Sequence, residues 1–354
     1  MIISRTPFRI SFFGGGTDYP AWYRAHGGAV LATTIDKYCY LTCRYLPPFL
    51  EHRIRIVYSK IENCHTVDEI THPAVREILR YVKIDRGVEI HHDGDLPARS
   101  GMGSSSAFTV GLLHALYALK GRMPSKEQLA KESIHIEQEL LAETVGSQDQ
   151  VLAAHGGFNY VRFHPNGEIS VRPITITPER MRELNSQLML FYTGIKRTAS
   201  DIAETYVNGI DGKKQQLGVI RDLAEESISV LNSSRGITAF GALLHDAWRA
   251  KRELSPRVSN SQVEEIYNQA LAAGAVGGKL LGAGGGGFML FFVPPSRQSC
   301  VRKKLHKLIY VPFKFESSGS QIIFFDTEQD YSEEEKARVF HAGSAFQELT
   351  DPME

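Results

Sequence analysis

The chain has 354 residues, of which 42% are hydrophobic, and its 40 basic side chains balance 40 acidic ones. A formal charge of zero argues against a general nucleic-acid or membrane-surface binder, and the length suggests about two domains. The longest apolar run, residues 288–293, is too short to cross a bilayer, and no signal-peptide core is seen. Four cysteines without a CxxC pair favour free thiols, so we expect a cytoplasmic protein.

The N-terminal part of the chain is rich in strand-forming side chains. Strands are expected at residues 2–13, 29–44, 54–58 and 88–92, with a run of three glycines directly after the first strand. Thr66 and Glu69 form a capping box, which predicts a helix that reaches about residue 82.

Residues 97–107 read Pro-Ala-Arg-Ser-Gly-Met-Gly-Ser-Ser-Ser-Ala and lead into residues 108–119, whose leucines have helical spacing. The first amides of a helix lack internal partners and carry the positive end of its dipole, so this turn favours a bound phosphate. Glycine lets the backbone approach the anion, and serine hydroxyls add donors. For this segment alone, a serine-capped helix after a glycine turn is an equally good interpretation.

A helix and a hairpin are expected next. Ser125 and Gln128 form a second capping box, which starts a helix that runs through residue 141. An Asn-Gly pair, favoured in hairpin turns, joins strands expected at residues 158–163 and 169–176.

The second half of the chain mixes helices with a few strands. Thr177 would cap a helix that has proline in its first turn, and Ser261 would cap another together with Glu264. Further strands are expected at residues 187–192, 288–293 and 321–325, and helices up to residue 252 and at residues 300–308. This irregular order indicates two α+β domains rather than a doubly wound sheet, with expected ranges 1–180 and 181–354.

Gly282, Gly284 and Gly287 match the spacing GxGxxG. That pattern indicates dinucleotide binding only between a strand and a following helix. Here we expect a helix before the glycines and a strand after them, which excludes a Rossmann site. Consecutive glycines would still wrap closely around a ligand or another backbone segment.

Two carboxylates are candidates for chemistry. Glu137 lies within a helix among apolar residues, and Asp149 lies between two glutamines in a polar stretch. Taken alone, each is better explained as a surface or capping carboxylate. Neighbouring His91 and His92 on a strand point to opposite faces, so we expect no metal ion shared by them.

Three glycine-bearing segments together are more specific than any one of them. Residues 5–18, 97–107 and 279–287 resemble, in order and spacing, the three motifs of the GHMP kinases, the superfamily of galactokinase, homoserine kinase, mevalonate kinase and phosphomevalonate kinase. The resemblance covers most of the chain and is greatest to the branch that acts on D-glycero-D-manno-heptose 7-phosphate. It implies an α+β fold of two domains, the first like ribosomal protein S5 domain 2 and the second ferredoxin-like.

The resemblance also implies an ATP site at the second motif. The expected ATP-binding residues are Pro97, Ser100, Gly101, Met102, Gly103, Ser104, Ser105 and Ser106. Ser105 falls where the family places a magnesium ligand. Glu137 precedes Asp149 by twelve positions (149 − 137), as the magnesium-binding glutamate precedes the catalytic aspartate in galactokinases. This match favours functional roles for both carboxylates. Met102 stands where leucine is usual, a change that conserves volume.

The sugar site is implied by the same resemblance. Arg9 aligns with the basic residue that the family uses beside the reacting hydroxyl, so Arg9 and Asp149 are the expected catalytic residues. The expected substrate-binding residues are Gly15, Gly16, Thr17, Asp18, Asp149, Lys196, Arg197, Gly284 and Gly285. Of these, Lys196 and Arg197 would bind the substrate's own phosphate, with Arg99 less favoured. Galactokinases carry Gly-Glu-His where this chain has its first three glycines, which favours the fucose and heptose branch.

The implied protein is an ATP-dependent sugar kinase. Asp149 would accept or orient the proton of the anomeric (C1) hydroxyl of heptose 7-phosphate, and Mg²⁺ on Ser105 and Glu137 would help to hold the triphosphate. The expected partners are therefore ATP, Mg²⁺ and a small sugar phosphate. The sequence leaves open whether the chain forms a homodimer. Two alternatives are an L-fucose-type kinase of an unphosphorylated sugar and a non-catalytic nucleotide-binding regulator.

Overall fold

The computed structural model describes residues 1–47, 49–195, 199–207, 209–326, 331 and 333–334. Its strands are β1 (Ile2–Phe13), β2 (Gly28–Tyr45), β3 (Ile54–Val57), β4 (Ile61–Cys64), β5 (Val88–Gly94), β6 (Phe158–Phe163), β7 (Ile169–Pro173), β8 (Leu188–Tyr192), β9 (Gly277–Leu280), β10 (Phe288–Phe292), β11 (Ile309–Val311), β12 (Phe315–Glu316) and β13 (Gln321–Phe325). Its helices are α1 (Pro20–His26), α2 (Pro73–Val82), α3 (Ser104–Leu119), α4 (Lys126–His135), α5 (Gln148–His155), α6 (Pro178–Ser186), α7 (Ala199–Val207), α8 (Lys214–Asn232), α9 (Thr238–Arg252), α10 (Ser261–Ala272) and α11 (Pro295–Lys304). Within the described residues, none of these helices combines the length and the apolarity needed to span a membrane.

The first sheet is organised around β2. Its main path has the order β13-β1-β2-β5-β3-β4, while β6 and β12 also pair with β2, and β7 pairs with β6. β2 has eighteen residues, so its first half pairs with β6 and its second half with β5. Its three threonines and three tyrosines, with one valine and one isoleucine, favour so long an extended segment.

Helix α3 packs against β1 and β2 in the core of this sheet. Most of its side chains are buried, as expected for a helix that is apolar on all sides. The Ser4 hydroxyl on β1 donates a 2.9 Å hydrogen bond to the carbonyl of Gly111. This bond holds the middle of α3 against β1, and a 3.1 Å bond from the Arg9 amide to the Met102 carbonyl holds the turn before α3.

The second sheet is antiparallel and has the order β11-β8-β10-β9. Numbered along the chain within this sheet, the order is 4-1-3-2, with α10 before β9 and α11 between β10 and β11. This is the βαββαβ arrangement of a ferredoxin-like unit, as expected. Helices α7, α8 and α9 extend the connection between β8 and α10.

The chain returns to the first sheet after it leaves the second. β12 pairs with β2, and β13 pairs with β1. The expected ranges 1–180 and 181–354 do not correspond one to one to the two sheets, because the second range contributes β12 and β13 to the first sheet. The division at residue 180 therefore stays a proposal.

Several predicted elements are confirmed where the signal is local. Ser125 accepts a hydrogen bond from the Gln128 amide (3.1 Å) at the start of α4. Thr177 accepts one from the Arg180 amide (3.2 Å) at the start of α6. The strand expected at residues 2–13 is β1.

Three predicted helix starts are wrong. Thr66 donates to Glu69 (3.1 Å), but the pair starts only a single turn, and α2 begins at Pro73 with His72 as its cap. Helix α10 is capped by Asn260, one residue before the predicted Ser261. The helix predicted at residues 300–308 is α11, which begins earlier because Pro295 suits a first helical turn.

The third glycine segment lies between two strands. A short strand, β9, overlaps the start of this segment, so the helix expected immediately before the glycines is wrong. Gly277 and Gly278 carry no side chain that would signal a strand. β10 follows the segment, as expected, and the exclusion of a Rossmann site therefore holds.

Candidate active site

The three glycine-bearing segments meet around a cleft of about 240 Å³. The amide of Phe288 donates a 3.2 Å hydrogen bond to the carbonyl of Ser100, which joins the third segment to the second. Gly287 has a φ of 104°, and a Cβ there would lie 2.1 Å from the Ser100 carbonyl oxygen. Only glycine allows this approach, and the resulting contact between the two segments closes one side of the cleft.

The second segment forms the turn before α3. Gly103 caps the helix with a φ of 74°, and Ser104 begins it. Of the residues expected to bind ATP, those that line the cleft are Gly101, Gly103, Ser104, Ser105 and Ser106. Pro97, Ser100 and Met102 hold the turn in place instead. Ser100 donates to the Pro97 carbonyl, and the carbonyl of the buried Met102 accepts from the Arg9 amide.

Arg9 and Asp149 form a bidentate ion pair on the cleft wall. Arg9 Nε lies 2.7 Å from Asp149 Oδ1, and Nη2 lies 2.6 Å from Oδ2. Arg9 Nη1 also donates to the Gly101 carbonyl (2.6 Å), which ties the pair to the phosphate turn. β1 positions the arginine and the first turn of α5 positions the aspartate. The expected closeness of the two side chains is confirmed, and the planar fork fixes the orientation of the carboxylate.

Asp18 lies beside this pair and is buried. Its carboxylate accepts hydrogen bonds from the amides of Gly16 (2.9 Å) and Gln148 (3.3 Å). Burial raises the pKa of Asp18 above its ordinary value, and the two amides oppose this rise. Asp18, Gly15 and Gly16 all line the cleft, as expected.

Lys279 is a further cleft residue, to which the sequence analysis assigns no role of its own. Its Nζ donates a 2.8 Å hydrogen bond to the carbonyl of Phe12, and the side chain lines the cleft. Burial, and then the positive charge of Arg9, lower the pKa of Lys279 to about 7. The available signal was a lysine at the start of the third glycine segment, among apolar residues and glycines.

Glu137 lies behind the serines of α3, in a single wide helical turn at Ile136–Leu140. Its Oε2 accepts from the Ser106 hydroxyl (2.9 Å) and from Gln150 Nε2 (2.5 Å). Within the described residues Oε1 makes no hydrogen bond, although the side chain is fully buried and the Thr109 hydroxyl lies near enough to lower the pKa of the carboxyl. Burial raises the pKa of Glu137 to about 7.

A magnesium ion fits this arrangement. A buried carboxylate oxygen that lacks a partner, next to a serine hydroxyl, offers the oxygen ligands that Mg²⁺ prefers. The described residues contain no group of three or more His, Cys, Asp or Glu side chains arranged for a metal ion. Mg²⁺ at nucleotide sites takes one or two carboxylates together with substrate phosphates, so one glutamate is sufficient.

The serine that contacts Glu137 is Ser106 rather than Ser105. Consecutive helical residues point about 100° apart, so only one of them faces Glu137. Ser105 is exposed and lines the cleft. The predicted role of Ser105 as a metal ligand stays a prediction, and Ser106 joins it as a candidate.

Several predicted substrate-binding residues lie elsewhere. Thr17 is buried and donates to the Gly14 carbonyl (2.8 Å), so it supports the first glycine turn. Gly282 and Ala283 line the cleft, whereas Gly284 and Gly285 lie beyond it, where the Gly285 amide donates to the Val258 carbonyl. Lys196 and Arg197 lie outside the described residues.

Comparison with known proteins identifies the family. The family model "GHMP kinases N terminal domain" matches residues 69–157, and "GHMP kinases C terminal" matches residues 227–310. The D-glycero-alpha-D-manno-heptose 7-phosphate kinase of Campylobacter jejuni is 31% identical over 330 residues, which cover 86% of this chain and 93% of that protein. The chain belongs to the GHMP kinases. As a GHMP kinase it is a phosphotransferase that uses ATP.

Solved structures agree on the GHMP kinase fold. A D-glycero-D-manno-heptose 1-phosphate kinase from Bacteroides thetaiotaomicron superposes with a TM-score of 0.76 at 23% identity, covering 92% of this chain and all of that one. Galactokinase from Lactococcus lactis superposes with a TM-score of 0.71 at 16% identity, covering 90% and 94%. The predicted α+β fold of a GHMP kinase is confirmed. The bifunctional fucokinase/GDP-fucose pyrophosphorylase of Arabidopsis thaliana is 26% identical over 83% of this chain, which spans 30% of that longer protein.

Proposed function

We propose that this GHMP kinase transfers the γ-phosphoryl group of ATP to the anomeric hydroxyl of D-glycero-D-manno-heptose 7-phosphate. The products would be heptose 1,7-bisphosphate and ADP. The choice of sugar is supported by the likeness to the Campylobacter jejuni kinase over nearly its whole length. The observation that carries the chemistry is the bidentate Arg9–Asp149 pair beside the phosphate turn.

Phosphoryl transfer depends on alignment and charge neutralisation more than on covalent chemistry. The amides at the start of α3 would bind the triphosphate, because they lack helical partners and lie at the positive end of the dipole. Arg9 would stabilise the charge on the transferring group. Asp149, oriented by Arg9, would accept the proton of the C1 hydroxyl while the oxygen of that hydroxyl attacks the γ-phosphorus, or it would orient the hydroxyl.

Glu137 and Ser106, with Ser105, would hold Mg²⁺ at the phosphate turn. When bound, the ion would supply positive charge to the triphosphate oxygens. The predicted cationic site for the 7-phosphate of the sugar remains Lys196 and Arg197. Arg99 is the third candidate, and it lines the cleft.

A second candidate function is an L-fucose-type 1-kinase of an unphosphorylated sugar, which the likeness to the Arabidopsis fucokinase supports. Both reactions need ATP, and the cysteines of the described residues are free thiols. Both therefore suit the reducing, ATP-rich cytoplasm.

The test is an assay of ADP release with ATP, Mg²⁺ and a panel of sugars. The panel contains heptose 7-phosphate, plain heptose, L-fucose and galactose. We expect the highest kcat/KM for heptose 7-phosphate, whereas a higher value for L-fucose would favour the second function. Nucleotide binding without turnover of any sugar would instead indicate a non-catalytic regulator.

A further inference from the structure

We propose that Ser11 and Gln148 form a subsite that binds a hydroxyl of the sugar next to the hydroxyl that is phosphorylated. This inference rests on the proposed function, because it requires a sugar in the cleft. Ser11 and Gln148 both line that cleft.

The two side chains are buried without being fully paired. Ser11 is 5% exposed and Gln148 is 8% exposed. Within the described residues, neither Ser11 Oγ nor Gln148 Oε1 has a hydrogen-bond partner. Buried polar groups are nearly always paired, because an unpaired one loses its water without compensation. Two such atoms on one cleft wall therefore indicate a ligand that carries a polar group.

Their position follows from the reacting pair. Side chains two residues apart on a strand lie on the same face about 7 Å apart, so Ser11 lies next to Arg9 on β1. The pairing of β1 with β2 is regular from Arg9 to Ser11, and the fully buried Ile10 lies on the opposite face. Gln148 directly precedes Asp149 at the start of α5. The subsite therefore lies beside the position of a hydroxyl held at Asp149.

Gly15 leaves room between the two side chains. A Cβ at Gly15 would lie 3.5 Å from Ser11 Oγ and 3.6 Å from Gln148 Nε2, which are ordinary contact distances. Gly15 is also absent from the glycines with positive φ, so the backbone does not require glycine there. The missing side chain therefore keeps a space open between two polar groups.

The chemistry of this space fits a neutral hydroxyl. Gln148 Nε2 borders the space and donates, and the Ser11 hydroxyl donates or accepts. A sugar hydroxyl satisfies both groups when it accepts from Gln148 Nε2 and donates to Ser11. The subsite therefore suits a ring hydroxyl, which both donates and accepts.

The test measures sugar KM, ATP KM and kcat for the wild-type protein and for Ser11→Ala, Gln148→Leu and Gly15→Ala. The substrate is whichever sugar of the panel the wild-type protein turns over best, together with its 2-deoxy and 3-deoxy analogues. We expect each variant to raise the sugar KM about tenfold, with ATP KM unchanged. Ser11→Ala and Gln148→Leu each remove one neutral hydrogen bond, and the Cβ of Gly15→Ala fills the space for the hydroxyl. With the deoxy analogue that lacks the bound hydroxyl, wild type and variants should have equal KM values.

Two matched controls separate binding from folding. Ser133 is also a fully buried serine whose Oγ has no partner in the described part of the chain, but it lies on α4 away from the cleft. Ser133→Ala should leave both KM values unchanged. Gly218→Ala adds a Cβ that meets nothing within 4 Å and controls for Gly15→Ala, which keeps ordinary backbone and contact geometry.

The outcomes of this test distinguish the subsite from the reaction. If another sugar is the best substrate, the proposed function is contradicted, but the subsite is still tested with that sugar. Unchanged sugar KM values in all three variants, or a KM difference that persists with both deoxy analogues, contradict the subsite. If no sugar is turned over, both proposals are contradicted.

Discussion

The two candidate carboxylates, one lining the cleft and one buried behind α3, have opposite environments. Asp149 is partly exposed and both of its oxygens are held by the guanidinium of Arg9. Glu137 is fully buried, and one of its oxygens has no partner within the described residues. A partly exposed carboxylate that lines the cleft in a fixed orientation suits proton transfer, whereas a buried unpaired oxygen suits a cation. Under the proposed function, the difference separates a sugar wall, formed by β1 and the start of α5, from a phosphate wall, formed by α3 and Glu137.

The largest expected effect is on the sugar wall. Asp149→Asn keeps the size of the side chain but removes the charge and the proton acceptor, so we expect kcat to fall about 10³-fold. ATP binding, measured by calorimetry, should stay within about twofold, because the phosphate turn is unchanged. Asp222→Asn, at an exposed pair with Arg221, is the control. Near-normal turnover of Asp149→Asn would contradict the assignment.

On the phosphate wall, Glu137→Gln should act through the metal ion. We expect the Mg²⁺ concentration for half-maximal rate to rise at least about tenfold, because a carboxylate ligand is replaced by an amide. The increase in Tm that Mg²⁺ with a nucleotide gives to the wild-type protein should also diminish. An unchanged Mg²⁺ titration would contradict the assignment of Glu137 as a ligand of the metal ion.

The pH dependence of stability gives a second measure of Glu137. Its pKa is about 7 in the folded protein and near the ordinary value of 4.5 in the unfolded chain. Between these pH values the folded protein binds more protons than the unfolded chain. The contribution of Glu137 to the free energy of unfolding is therefore complete below pH 4.5 and is lost as the pH rises towards 7. In metal-free protein, the unfolding free energy of wild type relative to Glu137→Gln should therefore fall over this range. A difference that is constant with pH would contradict the burial of a titrating carboxyl.

The smallest effect is expected where the chain departs from the usual second motif. Met102 is fully buried, and Met102→Leu conserves volume, so the free energy of unfolding should change by less than about 1.5 kcal/mol. Denaturant titration measures this change, and kcat should stay within about twofold. A large loss of activity would mean that the methionine itself shapes the phosphate turn.

Local signals in the sequence predicted much of the fold. The caps at Ser125 and Thr177 are confirmed because a cap is formed by side chains within one turn of the helix. β9 was missed because its strand state depends on pairing with β10, not on its own glycines. Likewise, β12 and β13 join the first sheet through contacts far along the chain.

The candidate site was only partly predictable. The closeness of Arg9 and Asp149 came from the family resemblance, since the two residues are 140 positions apart in the chain. Ser11, Gln148 and Lys279 went unrecognised because only the folded cleft decides which polar side chains face it. The rotation of α3, which directs Ser106 to Glu137, is also set by packing.

The most direct test of the central claim is the position of the new phosphate in the product. Wild-type protein is incubated with ATP, Mg²⁺ and heptose 7-phosphate, and the product is analysed by ³¹P–¹H correlation spectroscopy. We expect a second phosphorus resonance coupled to the anomeric proton, and no such resonance with Asp149→Asn. A new phosphate at any other carbon, or equal product from both proteins, would contradict the assignment of the Arg9–Asp149 pair to the anomeric hydroxyl.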